Sequence, residues 1–281
     1  MAVVHPTLNF CGGAEVVCLS LIKALQDRGD FVSLYTIDRP NWALIRRGFH
    51  DVTVPHQVFY LFTDVPWAGF TTLRGFFSVL FYAMHFLTLK LGKRYDVLVG
   101  TCGELLDSVG DIVYVNAVPL RLMHLYPELS VERAAQWSCY SQLYNLLLRE
   151  GVDRLGRPLV LTNSKFNRDI LRRHLGRGAI VVYPPVNVRR FQRLAKVKRR
   201  KNIVVTVSRI RPGKNLEVVP RVARRVRDAH FLIIGSGGPG FRRLASRLEA
   251  LSRRLGVQDR VKLLINQPFT TLFHALSGAK V

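Results

Sequence analysis

Three loops collect the residue types that could handle a charged ligand. The first, Pro6 to Gly13, ends in Gly12-Gly13-Ala14-Glu15 and runs straight into a segment of helical period. Backbone N–H groups at that helix start would face an anion, and glycines there let the chain approach it closely. The same tetrapeptide is equally consistent with a strand-to-helix turn that needs positive φ.

The second loop is Ser208-Arg209-Ile210-Arg211-Pro212-Gly213-Lys214-Asn215. It brings Arg209, Arg211 and Lys214 to one strand end, where guanidinium forks and a flexible ammonium suit a diphosphate. It is not a P-loop, because Ser208 stands where the first glycine belongs and Asn215 replaces the metal-binding Ser or Thr. On so basic a chain a solvated turn is the plainer reading of these residues alone.

The third loop, Gly235-Ser236-Gly237-Gly238-Pro239-Gly240, fits GxGxxG between a strand and a helix. A dinucleotide site would also want an acidic residue at the end of the next strand, yet that strand closes Leu264-Ile265-Asn266-Gln267. The motif also follows the second strand of its series. A close-packed turn near a nucleotide, with Gly235 and Gly237 beside the ligand, fits better than nicotinamide or flavin binding.

The elements that must position these loops are short apolar runs alternating with helical periods, the pattern of a parallel sheet covered by helices. Strands are predicted near 2–5, 31–36, 95–100, 111–115 and 158–162, with a helix over 14–28 that Gly29 ends. Tyr183-Pro184-Pro185 and the basic run 196–201 interrupt the pattern, so two domains are expected, 1–190 and 191–281. In the second, strands are predicted at 202–208, 230–235 and 260–265, and helices near 215–227, 240–255 and 269–277. Residues 279–281 read as the opening of a fourth strand, so the second domain is expected to be incomplete.

Hydrophobic residues make up 48% and charged residues 22% of the 281 positions, which suits a globular protein and argues against long disordered tracts. The four cysteines, Cys11, Cys18, Cys102 and Cys139, form no CxxC pair, so neither a zinc site nor a disulfide framework is indicated and a reducing compartment is expected. Forty-two Lys and Arg against nineteen Asp and Glu give a formal charge of +23. That charge attracts phosphates, anionic lipid or nucleic acid without choosing among them. A basic nucleic-acid-binding α/β protein is the rival reading that this charge supports, but no nucleic-acid-binding signature accompanies it and Arg221, Arg224, Arg225 and Arg227 are not interleaved with aromatics, so no nucleic-acid partner is expected.

Taken together, in this order and spacing, the loops resemble the family-4 glycosyltransferases. His5-Pro6 with Gly12-Gly13-Ala14-Glu15 resembles that family's first-domain phosphate loop, and Val182-Tyr183-Pro184-Pro185-Val186-Asn187-Val188 its interdomain segment. Ser208-Arg209-Ile210 with Lys214-Asn215-Leu216 resembles its second-domain phosphate site. The resemblance implies a GT-B fold, two Rossmann-like parallel-sheet domains facing a cleft, the first on the acceptor side and the second binding a nucleotide-sugar donor. Within the family the sequence looks most like the mannosyltransferases that extend lipid-linked (dolichol-pathway) oligosaccharides, partly through Asn163-Ser164-Lys165-Phe166. That implies GDP-mannose as donor, a lipid-linked glycan as acceptor, retention of anomeric configuration, and neither metal nor cofactor. Gly12, Gly13, Arg209 and Lys214 would contact the donor phosphates. Two departures stand out. Asn116 occupies the place where many relatives carry an acceptor-side histidine, which keeps open a catalytically dead relative, and the family's paired glutamates would lie beyond residue 281.

Residues 75–89 carry no Lys, Arg, Asp or Glu and are flanked by Arg74 and Lys90. The run is short of the ~20 residues that span a bilayer. It reads either as a membrane-surface helix, placing the protein peripherally on the cytosolic face of a membrane, or as a core helix of the first domain.

Overall fold

The computed structural model describes residues 1–49, 52–63, 94–101, 110–119, 122, 125, 158–192, 202–237 and 241–280. The chain divides into two compact units, Met1–Pro185 and Val186–Val281.

The first unit is organised around β1 (Ala2–Val4) and β2 (Ser33–Asp38), both buried along their whole length, as strands covered on both faces must be. Between them α1 (Gly13–Asp27) turns Cys18, Leu19, Ile22 and Leu25 onto Val3 and Leu34, and Gly29 at φ +92° ends it. α2 (Trp42–Gly48) starts at Asn41, whose side chain accepts the Leu44 N–H. Then come β3 (Gln57–Phe62), β4 (Leu98–Gly100), β5 (Ile112–Val115), β6 (Leu159–Thr162), α3 (Lys165–Leu175) and β7 (Ile180–Val181). α3 is capped by Ser164, which accepts the Asn167 N–H, and is closed by Gly176 at φ +61°.

These strands form one parallel sheet in the order β3-β2-β1-β4-β5-β6-β7. The first six follow the 3-2-1-4-5-6 order of nucleotide-binding sheets, whose strand order reverses beside the first strand. That reversal falls between β1 and β4, so the crevice expected to hold a ligand opens beyond Val4 and Gly100.

In the second unit α4 (Val188–Gln192) precedes β8 (Ile203–Val207), α5 (Val218–Arg225), β9 (His230–Gly235), α6 (Phe241–Arg254), β10 (Val261–Ile265) and α7 (Phe269–Gly278). The sheet order is β10-β9-β8, all parallel. Asn202 O accepts from His230 N on the β9 side, while Ile203 O accepts from Lys280 N at 2.9 Å. Carbonyls of adjacent strand residues point to opposite edges, so residue 280 lies along the free edge of β8.

Several elements differ from the sequence expectation. β2 covers 33–38 and β4 only 98–100. β3, α2, α3, α4 and β7 were not foreseen. The helix expected over 215–227 begins at Val218, because Pro212–Lys214 form a 3-10 turn and Asn215 takes the left-handed region at φ 49°. The 75–89 run lies outside the described residues; no helix among those described is long and apolar enough to cross a membrane.

One side chain unremarked in the sequence closes the second unit. The Arg260 guanidinium donates to Ala223 O at 2.7 Å, Val226 O at 2.6 Å and Ala229 O at 3.3 Å, serving the orphan carbonyls where α5 ends. An Arg260→Ala chain is expected to lose about 1.5–3 kcal/mol, the worth of hydrogen bonds to a charged group, read as a lower urea midpoint for this unit. An unchanged midpoint would show that water serves these carbonyls equally well.

Candidate functional site

In the first unit the loop after β1 is held by polar side chains. Thr7 Oγ1 and Asn9 Nδ2 both donate to Asp38 Oδ2 at 2.9 Å, and Asn9 also bonds Arg39 O and accepts from Asn41 N. The acidic residue ending β2 therefore fixes the loop. The positive φ considered for the glycines falls instead on Cys11, at 48°. Gly12 is extended, with φ −106° and ψ −166°, and Gly13 opens the helix with empty space where a Cβ would stand. Neither backbone strain nor packing accounts for glycine at 13.

Glu15 lies under this turn. Its Oε2 accepts the Gly12 N–H at 2.6 Å and its Oε1 sits 3.7 Å from His5 Nε2, with both side chains buried. Burial alone would raise the Glu15 carboxyl, but the His5 imidazole and the Gly12 N–H outweigh it and hold the group below the usual carboxylate range. The Gly12 N–H is thus taken, whereas no hydrogen bond among the described residues engages the N–H of Gly13 or Ala14. These two orphan donors at the N-terminus of α1 are what an anion would meet. The adjacent Cys18 thiol is pushed up to about 12, chiefly by complete burial, which marks it as a packing residue.

A chain of hydrogen bonds runs from here across the sheet edge. His5 Nδ1 meets Thr101 Oγ1 at 2.8 Å, and the Thr101 carbonyl accepts from Asn116 Nδ2 at 2.9 Å. Asn163 Nδ2 donates to Asn116 O at 2.5 Å, and Asn167 Nδ2 to Asn163 Oδ1 at 2.7 Å. The turns after β1, β4, β5 and β6 are locked together in this way. Asn116, proposed from the sequence as the acceptor-side residue, spends its amide N–H on Thr101. Its Oδ1 has no partner among the described residues and could orient a hydroxyl, though not deprotonate one. Of these residues Thr101, Asn163 and Asn167 carried no sequence signal for such a role.

In the second unit the loop after β8 is pinned by Ile210, which is 1% exposed, and by Ile210 N donating to Ser236 O at 2.9 Å. That bond joins the basic loop to the glycine turn after β9. Arg209 and Lys214 are exposed, and Arg211 Nε is shielded from solvent with no acceptor among the described residues. A buried donor without an acceptor is a place where a ligand oxygen would fit. The glycines have packing roles: a Cβ on Gly235 would lie 1.6 Å from Ser208 O, and one on Gly237 2.5 Å from the Phe241 ring. Gly237 N donates to Asn266 Oδ1 at 2.8 Å, so the residue at the end of β10 closes the turn where a dinucleotide fold would place its ribose-binding acid.

The structure thus brings Gly12, Gly13 and Asn116 to one sheet edge, and Arg209, Lys214, Gly235 and Gly237 to the corresponding edge of the other unit. Among the described residues no cluster of three His, Cys, Asp or Glu side chains could hold a metal. A cavity of about 540 Å³ between Arg39, Asn41, Trp42 and Tyr60 holds none of the residues singled out by the sequence.

The chain's sequence matches no protein-family model and no curated protein. Solved structures do resemble it. Sucrose-phosphate synthase from Thermosynechococcus elongatus aligns over 99% of this chain and 73% of its own at 16% identity and a TM-score of 0.65. The Anabaena protein HepE, in complex with UDP and glucose, covers 95% of this chain and 69% of its own at 14% identity and a TM-score of 0.59. The lipopolysaccharide galactosyltransferase WaaB covers 99% and 71% at 15% identity and a TM-score of 0.51. At such identities the likeness is one of fold, and the fold shared with these glycosyltransferases is GT-B.

Proposed function

We propose that the chain is a nucleotide-sugar-dependent glycosyltransferase. The observation that carries this reading is the repeated placement of anion-ready groups beyond the first strand of each parallel sheet: the N–H groups of Gly13 and Ala14, unbonded among the described residues, in one unit, and Arg209, Arg211 and Lys214 in the other. Such groups suit the phosphates of a nucleoside diphosphate, and the GT-B fold is compatible with that use. The finer reading follows the family resemblance: a hexose, mannose from GDP-mannose, passes to a lipid-linked glycan acceptor at the cytosolic face of a membrane.

In the retaining course an acceptor hydroxyl forms its bond to the anomeric carbon on the face from which the diphosphate leaves, and the hydroxyl proton passes to the departing phosphate. Charge grows on the diphosphate as the bond to it breaks. Arg209 and Lys214 neutralise that charge, the kind of preorganised stabilisation that contributes most to such steps. Asn116 Oδ1, held in place by the hydrogen bond that its Nδ2 donates to the Thr101 carbonyl, positions the hydroxyl.

Arg209→Ala and Lys214→Ala are each expected to weaken nucleoside-diphosphate binding by about 1.5–3 kcal/mol, the loss of one charge-assisted hydrogen bond. Calorimetric titration with GDP and UDP reads this directly. Unchanged affinity in both variants would remove these residues from the site.

A further inference from the structure

The chain's charge is distributed unevenly. Residues 186–281 carry 23 Lys and Arg against 4 Asp and Glu, and so hold +19 of the formal +23. Both connections in the β8-β9-β10 series step in the same direction, and right-handed crossovers then place α5 and α6 on one face of the sheet. Their inner sides confirm it: Val219 and Ala223 share a core with Leu244, Leu248, Phe231 and Ile233.

The outer sides of this helix layer are basic. Arg221, Arg224 and Arg225 from α5 and Arg242, Arg243 and Arg254 from α6 are all exposed. Among the described residues Arg247 forms this layer's ion pair, 3.7 Å from Glu217. Alongside the α5 arginines runs a row of valines at four-residue spacing, Val218, Val222 and Val226, with exposures of 47%, 41% and 38%. Helix period puts Val218 and Val222 about 100° around α5 from Val219 and Ala223, on the flank next to Arg225, and Val226 continues the row as the C-cap. An exposed flank of a surface helix would ordinarily carry polar residues.

We propose that the outer face of α5 and α6 docks the protein on an anionic lipid bilayer. The arginines meet lipid phosphates, and the valines enter the boundary between headgroups and acyl chains. A nucleic acid would use the arginines but leave the valine row in water, and no exposed aromatic on either helix could stack on bases. The inference rests on charge and exposure in the second unit and is independent of sugar transfer and of the 75–89 run.

The test is flotation of the full chain with phosphatidylcholine vesicles, with and without about one-third phosphatidylglycerol, at low ionic strength. Each basic side chain near an anionic surface contributes about fivefold to partitioning, so Arg221→Gln/Arg225→Gln/Arg243→Gln is expected to lower it on the order of a hundredfold. Val218→Ser/Val222→Ser is expected to lower vesicle binding severalfold and leave binding to duplex DNA unchanged. A charge-matched control in the first unit, Arg47→Gln/Arg172→Gln/Arg173→Gln, should bind vesicles much as the parent chain does. An equal loss in the control would reduce the effect to bulk charge and overturn the proposal. So would full binding by the arginine variant. Vesicle binding indifferent to the valine changes, with DNA binding lost in the arginine variant, would make the face a nucleic-acid surface instead.

Discussion

A Gly235→Ala chain is expected to lose the native packing of its second unit. The added Cβ would stand 1.6 Å from the Ser208 carbonyl oxygen, and that neighbour is backbone, with no side-chain torsion by which to retreat. Nor can the two strands slide apart, because Val207 pairs with Ile234 and Ser208 N donates to Ile234 O at 3.0 Å. Overpacking usually costs 1–3 kcal/mol where side chains can give; a clash with ladder backbone belongs at or above the top of that range, about 3 kcal/mol or more. Limited proteolysis should show the second unit cut readily while protection of β1, β2 and α1 is unchanged. Nucleotide affinity should fall as well, since Ser208 opens the loop that carries Arg209 and Lys214. Parent-like protease resistance would mean that the two loops do not approach as described.

The second large effect is expected at His5. Replacing it with Ala removes the imidazole beside the buried Glu15 carboxylate and the partner of the Thr101 hydroxyl, and leaving buried polar and charged groups unmet costs about 3 kcal/mol or more. The acid limb of stability carries the same signature. The folded-state pKa of Glu15 is depressed, so its contribution is complete above the ordinary carboxylate range and is lost as pH falls through the lowered folded value. Glu15→Gln keeps an oxygen for the Gly12 N–H but has nothing to titrate, so its stability should decline less steeply over that acid range. Denaturant midpoints for the parent, His5→Ala and Glu15→Gln chains at several pH values measure both effects. Identical slopes for parent and Glu15→Gln would show that the carboxylate is not held ionised by the fold.

The sequence exposed those parts of this architecture that depend on local pattern. Short apolar runs gave β1, β5, β6, β8, β9 and β10 nearly to the residue, and the four-residue spacing of Val17, Leu21 and Leu25 gave α1, because these signals lie within a few residues of one another. β3 escaped because Val58-Phe59-Tyr60-Leu61-Phe62 is apolar at every position, and such a run does not distinguish strand from helix. Most of it remains exposed at the sheet edge. α3 escaped because its apolar stripe is thin, Ile170 and Leu171 among Arg168, Arg172 and Arg173, although Ser164 and Gly176 mark both of its ends.

The site divides in the same way. Glycines and basic residues clustered between a strand and a helix were visible as loops. What those glycines do was not: Gly235 and Gly237 answer to backbone and ring contacts made across loops, and positive φ fell on Cys11 rather than on Gly12. The His5–Thr101–Asn116–Asn163 connection joins residues up to 96 positions apart at a single hydrogen bond, and it exists because β4 lies beside β1. No local pattern announces that adjacency; it is a consequence of where the sheet reverses its order.

The central proposal is that the chain binds a nucleotide sugar, with Arg209 and Lys214 on its phosphates. The most direct measurement is thermal stabilisation of the protein across a panel of GDP-, UDP- and ADP-sugars, repeated on Arg209→Ala/Lys214→Ala. A ligand that binds the folded chain raises its apparent stability by about 2.7 kcal/mol at a hundred times its Kd. The account predicts a saturable rise with one nucleotide, GDP-mannose foremost, that the double variant loses. No response to any member of the panel, or a response of equal size in the variant, would contradict it.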